Sequence, residues 1–420
     1  MSGTYLVEGA YLSDSRGAGL DVTEAAGENS PSDAYFMHTF EIRPTMKVND
    51  KITMAANIRV ADDTFWGGQA GGDLTSNSTT TAGTHNDFYV HHLYMDYASP
   101  IGKMRFGRTP AGPYGTSYLD PDSRGDRVML WPSFLASGPV STLFFIQKIT
   151  DAARDLTAPD ATHQSDEDST KYVGRVYYKT ANLDSGLSYE VTDNQVTNTA
   201  DDVKQAVIVY GKYKMDNFFA NGEVQHFFGS KDYDHALVAT ADQDYDSWAA
   251  MLQVGAKFDA LTPSLMYFYA QGQEMNENDI ENHLGTAGTG DLFEPLYILT
   301  GRHTGMLNND IYSGGVGSNM RNMSAAGIHA VVAAADYAVS NQLSLHGAIA
   351  WAQADEEQVV GQDDEYGWEY NIGAAYKLLD NLTYEAHFGY LDTGDFFKST
   401  PTTDDTENVY ILTHHLTMTF

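Results

Sequence analysis

The sequence predicts an all-β chain, folded as a transmembrane antiparallel up-and-down β-barrel of about eighteen strands. Three observations carry that expectation. Apolar and polar residues alternate with period two from one end of the 420 residues to the other. The alternating stretches run to about 9–13 residues, enough to cross a bilayer at a barrel's tilt, whereas strands of soluble proteins are nearer five or six. Short connections take turns with long ones along the whole chain.

Strand-like sequence begins at Tyr5. In the stretch 48–61, Ile52, Met54, Ala56, Ile58 and Val60 share one side, and Lys51, Thr53, Asn57 and Arg59 the other. Successive side chains of a strand leave opposite faces, so this ribbon has one oily face and one wet face. Trp248, Ala250, Leu252, Val254, Ala256 and Phe258 oppose Met251, Gln253 and Lys257 in the same way. Leu382, Tyr384, Ala386, Phe388 and Tyr390 oppose Thr383, Glu385 and His387. The final stretch sets Tyr410, Leu412, Leu416, Met418 and Phe420 against Ile411, Thr413, His415, Thr417 and Thr419.

Turn residues mark short connections at 48–50, 99–101, 137–139, 181–185, 215–217, 260–262, 340–342 and 379–381. Long polar connections lie at 14–33, 62–86, 110–126, 152–169, 194–202, 230–245, 274–323, 355–365 and 393–406. Eight short and nine long connections join eighteen strands and leave both ends on the short-turn rim. Pro132 interrupts the stretch 127–136, and without a hairpin there the count is sixteen. In lipid every backbone N–H and C=O must be paired, so a sheet has to close on itself, with apolar side chains outward and polar ones lining the lumen. Residues 1–420 therefore read as one barrel domain, with loops 110–126 and 274–323 as candidates to fold into the lumen or its mouth.

Composition narrows the function classes. Gly 38, Tyr 27 and Phe 19 suit tight turns and interfacial aromatics. Cys 0 excludes disulfides, thiolate metal sites and cysteine nucleophiles. Lys+Arg 24 against Asp+Glu 57, a net charge of -33, excludes nucleic acid as a partner and favours cations. No apolar run of about eighteen residues marks a transmembrane helix. No secretion segment precedes Tyr5, as expected of a mature exported chain. No G-x-S-x-G elbow, H-E-x-x-H pair or phosphate loop occurs, so neither enzyme activity nor a cofactor is expected.

The closing strand, framed by Tyr410 and Phe420, resembles the last strand of bacterial outer-membrane barrels, in which a terminal Phe sits in the aromatic girdle. Strand architecture, Phe420 and the run Arg105-Phe106-Gly107-Arg108 after a Pro-Ile-Gly turn resemble bacterial porins over nearly the whole chain. The composition looks like that of the homotrimeric porins of sulfate-reducing bacteria. Phe293-Glu294-Pro295-Leu296 is similar to a stretch of the alginate-export class of eighteen-stranded channels. The resemblance implies a homotrimer in the outer membrane of a Gram-negative bacterium, surrounded by its lipid and passing small hydrophilic solutes and ions by passive diffusion. Two other readings stand beside it. One is a substrate-specific channel or exporter constricted by the 274–323 loop; the other is a structural or adhesive surface barrel with a plugged lumen.

Parity points Arg43, Arg59, Arg105 and Arg175 inward, along with Lys51, Lys103 and Lys171. The resemblance implies that the third long loop, which contains the constriction candidates Asp120, Asp122 and Asp126, sets its acids against wall arginines, with Asp120 and Asp122 facing Arg43, Arg59 and Arg105, forming a transverse field at the narrowest point. The alternative is solvated lumen charge with no special role. Arg108 falls on the lipid parity. The apolar run Leu292-Phe293-Glu294-Pro295-Leu296-Tyr297-Ile298-Leu299 must be buried in the lumen, between subunits, or in a small core of its own. Acid clusters in the long loops would enrich cations at the mouth and offer sites for structural calcium or magnesium. Asp242-x-Asp244-x-Asp246 begins like a calcium loop, but Gln253 stands where an EF-hand needs its Glu. The neighbours His91-His92 and His414-His415 point to opposite faces, so neither pair shares one ion.

Overall fold

Every strand belongs to one antiparallel sheet, and the last pairs with the first. The computed structural model describes residues 1–13, 32–66, 89–110, 112, 114–119, 124–151, 168–196, 199–235, 237–287, 290, 293–301, 323–398, 406 and 408–420. The first segments are β1 (Ser2–Leu12), β2 (Asp33–Arg43), β3 (Thr45–Lys47), β4 (Ile52–Phe65), β5 (Tyr89–Ser99), β6 (Gly102–Pro110) and β7 (Arg124–Pro132). Then come β8 (Val140–Asp151), β9 (Asp168–Lys179), β10 (Leu183–Asn194), β11 (Ala200–Met215), β12 (Phe218–Tyr233) and β13 (Gln243–Ala256). The wall is completed by β14 (Leu261–Ala270), β15 (Ile328–Ala338), β16 (Leu343–Gln353), β17 (Glu365–Leu379), β18 (Leu382–Thr393) and β19 (Val409–Thr419). Among the described residues, two short helices, α1 (His283–Ala287) and α2 (Met323–Ala326), lie between β14 and β15.

Nineteen segments make eighteen strands, because β2 and β3 both pair with β4 as two halves of one stave. Pro44 separates the halves; it has no N–H for the ladder, yet its carbonyl still accepts from Ala56 N at 3.0 Å. At Pro132 the structure supports the larger count. Strand β7 ends there, a 3-10 turn at Ser133–Leu135 follows, and β8 returns with Leu130 opposite Phe144. The last residue of a strand can lack a donor without breaking the ladder.

Several strands run past the expected lengths, and one pair does so most. β11 and β12 run 16 residues each, because their ladder continues through to Ala200 opposite Tyr233. The long connections on either side of that hairpin shrink accordingly, to 195–199 and 234–242.

Closure is made by β1 and β19, paired from Thr4↔Thr419 to Leu12↔Ile411. Phe420 extends the ladder: Gly3 N donates to its O at 2.8 Å, and Phe420 N donates to Gly3 O at 3.1 Å. The Phe420 ring lies where a Cβ on Gly3 would be, 2.3 Å from its Cζ, and stacks on Phe40 at 6.0 Å. Among the described residues the ladder closes without an edge strand, the arrangement that lets backbone groups stay paired in lipid.

The two faces invert the arrangement of a soluble protein. Val209, Leu252, Val254, Ile349, Ile372 and Leu412 are exposed on the outside, while Glu8, Glu41, Arg175, Glu190, Glu223 and Gln225 are buried inside. The inner face is not uniformly polar, however. On β13 to β19 the inward positions include Met251, Phe268, Val332, Ala348, Ala350, Val409 and Ile411, all buried. These pack with Leu284, Phe293, Leu296, Ile298 and Leu299 from the long connection after β14. Expecting a wholly polar lumen fails on that side, because the wall there is covered by other chain and never meets water.

Candidate functional site

Two connections place side chains against the inner wall. The first follows β6. Gly115 takes φ +82, and a Cβ there would lie 2.3 Å from the Glu223 carboxylate. That close approach lets Thr116 donate to Glu223 from both its backbone N and its hydroxyl. Tyr114 lies edge-on to Tyr210 at 5.0 Å, donates to Ile208 O at 3.1 Å, and receives the Arg175 guanidinium on its face at 4.5 Å. Tyr118 is fully buried and donates to Tyr269 O at 2.7 Å. Burial pushes both phenols well above the ordinary tyrosine range, so they act here as neutral donors.

The second connection follows β14. Its residues 297–299 turn their backbone N–H groups onto one carboxylate, that of Glu369 on β17. Tyr297 N and Ile298 N reach Oε1 at 2.8 Å each, and Leu299 N reaches Oε2 at 2.9 Å. Thr300 closes the turn, accepting from Leu296 N at 3.1 Å and donating to Leu296 O at 3.0 Å. The two connections meet. Gly290 N donates to Tyr118 O at 2.7 Å, and the Phe293 ring lies 4.7 Å from Tyr118 and 5.0 Å from Phe268.

The arginines singled out by parity find partners on their own wall. Arg43 and Arg59 both pair with Glu41, and Arg59 also bonds Asp62. Arg105 makes a two-pronged contact with Asp96, at 2.6 and 2.9 Å, and lies 4.0 Å from the Tyr94 ring. Arg175 and Lys171 share Glu190. The register explains these pairs: Glu41 is opposite Arg59, and Asp96 is opposite Arg105. The expectation that Asp126 lines the constriction is corrected. Asp126 is exposed on the outer face of β7 and pairs with Arg108 at 2.9 Å, while its neighbour Arg127 turns inward. Strand parity allows only one of the two inside. Asp120 and Asp122 lie outside the described residues.

The candidate calcium loop is corrected as well. Asp244 and Asp246 stand within β13, in an extended ladder and not in a loop that could wrap around an ion. Asp242 instead accepts from Tyr233 N at 2.8 Å, and Asp246 lies 2.8 Å from His226 Nε2. Among the described residues the three do not bring ligand atoms together. Sequence reasoning missed Glu223 and Glu369, whose roles depend on which loop reaches them, and Arg127, which lay hidden beside Asp126. A signal for the apolar inner wall was present. Ala348, Ala350 and Ala352 alternate with Ile349 and Trp351, so both faces of β16 are apolar, as for a strand covered on both sides.

The outward face carries aromatics at the expected ends of the last strand. Tyr410 and Phe420 are exposed, and the Tyr410 ring lies 5.9 Å from Tyr11.

Comparison with known proteins agrees with this architecture. The sequence pattern of the family described as Porin subfamily matches residues 151–415. No curated protein sequence matches. Among solved structures, the chain is similar to OccK9 (OpdG) of Pseudomonas aeruginosa, at 12% identity and a TM-score of 0.55, over 100% of this chain and 98% of that one. It is similar to a BenF-like porin from Pseudomonas fluorescens Pf-5, at 11% identity and 0.54, over 100% and 99%. It is similar to OpdK of Pseudomonas aeruginosa, solved with vanillate, at 9% identity and 0.53, over 100% and 98%. At such identities the likeness is one of fold.

Proposed function

Since the chain belongs to the porin subfamily and forms a diffusion channel in the outer membrane of a Gram-negative bacterium, we propose that small hydrophilic solutes and ions cross it through a lumen constricted jointly by residues 114–119 and 293–300. The observation that carries this reading is the meeting of the two segments at Tyr118, between Phe268 of the wall and Phe293 of the second segment. Planar-bilayer recording tests it. Removing residues 293–300 is expected to raise single-channel conductance several-fold; an unchanged conductance would sink the constriction.

The mouth is proposed to enrich cations. Glu356 is held above the ordinary carboxylate range first by burial and then by Asp355, Glu274, Glu281 and Glu357. Burial, followed by Glu274, Glu277 and Asp246, does the same at Glu281. Such mutual repulsion marks a strongly negative rim. In a salt gradient the reversal potential should favour cations, and an anion-favouring value overturns this part. The assembly is proposed to be a homotrimer, supported by the resemblance to trimeric porins; a detergent-solubilised particle with the protein mass of a single chain would contradict it.

A substrate-specific channel is the second reading, favoured by the complete burial of Leu296, Ile298 and Leu299 in the segment that narrows the lumen. Flux that saturates with one solute class supports it, whereas flux linear in concentration supports general diffusion.

A further inference from the structure

We propose that Glu385 and His387 on β18 and His415 on β19 form a lumenal binding site for one divalent transition-metal ion of the zinc type. The strand pair builds the site. Glu385 lies directly opposite His415 in the register, and His387 is two residues along on the same inward face. Their ligand atoms all lie within 4.8 Å of one another. Tetrahedral zinc, with bonds of about 2.0–2.1 Å, holds its donors roughly 3.4 Å apart, so small side-chain rotations close the site. Two imidazoles and one carboxylate suit zinc, whereas calcium and magnesium prefer oxygen alone.

The surroundings hold His387 in a ligating pose. Its Nδ1 lies 2.8 Å from Tyr297 Oη, which leaves Nε2 for the metal. Opposite His387 in the register is Gly373. A Cβ there would lie 2.5 Å from His387 Nδ1 and 2.7 Å from Tyr297 Oη, so the glycine makes room for this pair. On the other side, Glu8 places a carboxylate oxygen 3.7 Å from His415 Nε2. His414 turns outward to Phe36 and Tyr384. The adjacent pair thus shares no ion, while His415 alone meets a histidine of the next strand. Tyr297 belongs to the same segment that Glu369 holds, so the ion would sit where that segment meets the wall.

The test uses the full chain folded in detergent and stripped with a chelator. Titration with zinc is expected to fill one site per chain that magnesium does not fill. Cobalt(II) in its place is expected to give the intense visible bands of a tetrahedral N/O site. The double substitution His387→Gln with His415→Gln should weaken zinc binding on the order of a hundredfold. Gly373→Ala should weaken it about tenfold, by displacing the pair that orients the ligand. Glu385→Gln, a near-isosteric change, gives a second variant should the double one fail to fold, with heat-shifted gel migration as the check of folding. The proposal is overturned if folded wild-type protein takes up no zinc at this stoichiometry, or if folded variants bind zinc and colour with cobalt as the wild type does. Binding is read without conductance, so a negative result leaves the channel reading untouched.

Discussion

Glu369 shows how one residue governs a segment far away in sequence. A buried carboxylate is costly unless its oxygens are satisfied, and here three backbone N–H groups of residues 297–299 satisfy them. Glu369→Gln keeps the shape but replaces one oxygen with a donor that faces donors. The expected cost is about 1–3 kcal/mol, read as faster amide exchange at residues 297–299; unchanged exchange would refute it. His283 offers a second test. It is fully buried, and burial, with Lys204 nearby, pulls its pKa from near 6.5 down to about 3. Between those values the opened state binds a proton that the closed state does not. The stabilisation is therefore complete above about pH 6.5 and falls away as pH drops toward 3, by about 3 kcal/mol at pH 4. Proteolysis of the 274–287 stretch should accelerate in that window, and His283→Gln should flatten the pH dependence.

At the scale of elements, the two inward connections stabilise each other through aromatic packing. Phe293 is buried between Tyr118 and Phe268. Phe293→Ala should cost about 3–5 kcal/mol locally, loosening both connections without unfolding the wall. Single-channel records should then show larger, noisier openings, and wild-type traces from this variant would argue that the segments do not narrow the pore. The strands themselves tolerate such changes, because each is held by a ladder on both sides.

For the whole molecule, closure is the controlling event. A barrel with β1 and β19 apart exposes two unpaired edges to lipid, each unsatisfied group costing several kcal/mol. Phe420 contributes two backbone hydrogen bonds to that seam and a ring stacked on Phe40. Its removal should lower the yield of heat-shiftable folded barrel in lipid vesicles, and an unchanged yield would deny it a part in closure. The acidic rim also acts collectively. Glu281 and Glu356, with raised pKa values, take up protons at higher pH than ordinary carboxylates do. Cation preference should therefore weaken as pH falls from 7 toward 4, and a reversal potential constant over that range would contradict the rim's role.

Period-two alternation and the succession of short and long connections were enough to specify a closed eighteen-stranded wall, because in lipid the backbone leaves a sheet no other choice. Parity also placed Arg59, Arg105 and Arg175 on the inner face, since side-chain direction in a strand is a local property. Their partners Glu41, Asp96 and Glu190 came from strand register, and Asp126 turned outward because it belongs to β7 and not to the preceding loop. Only the tertiary structure brought Tyr118 to Phe293 and residues 297–299 to Glu369. Those contacts join points 70 or more residues apart, and nothing in the local pattern of either partner records the other.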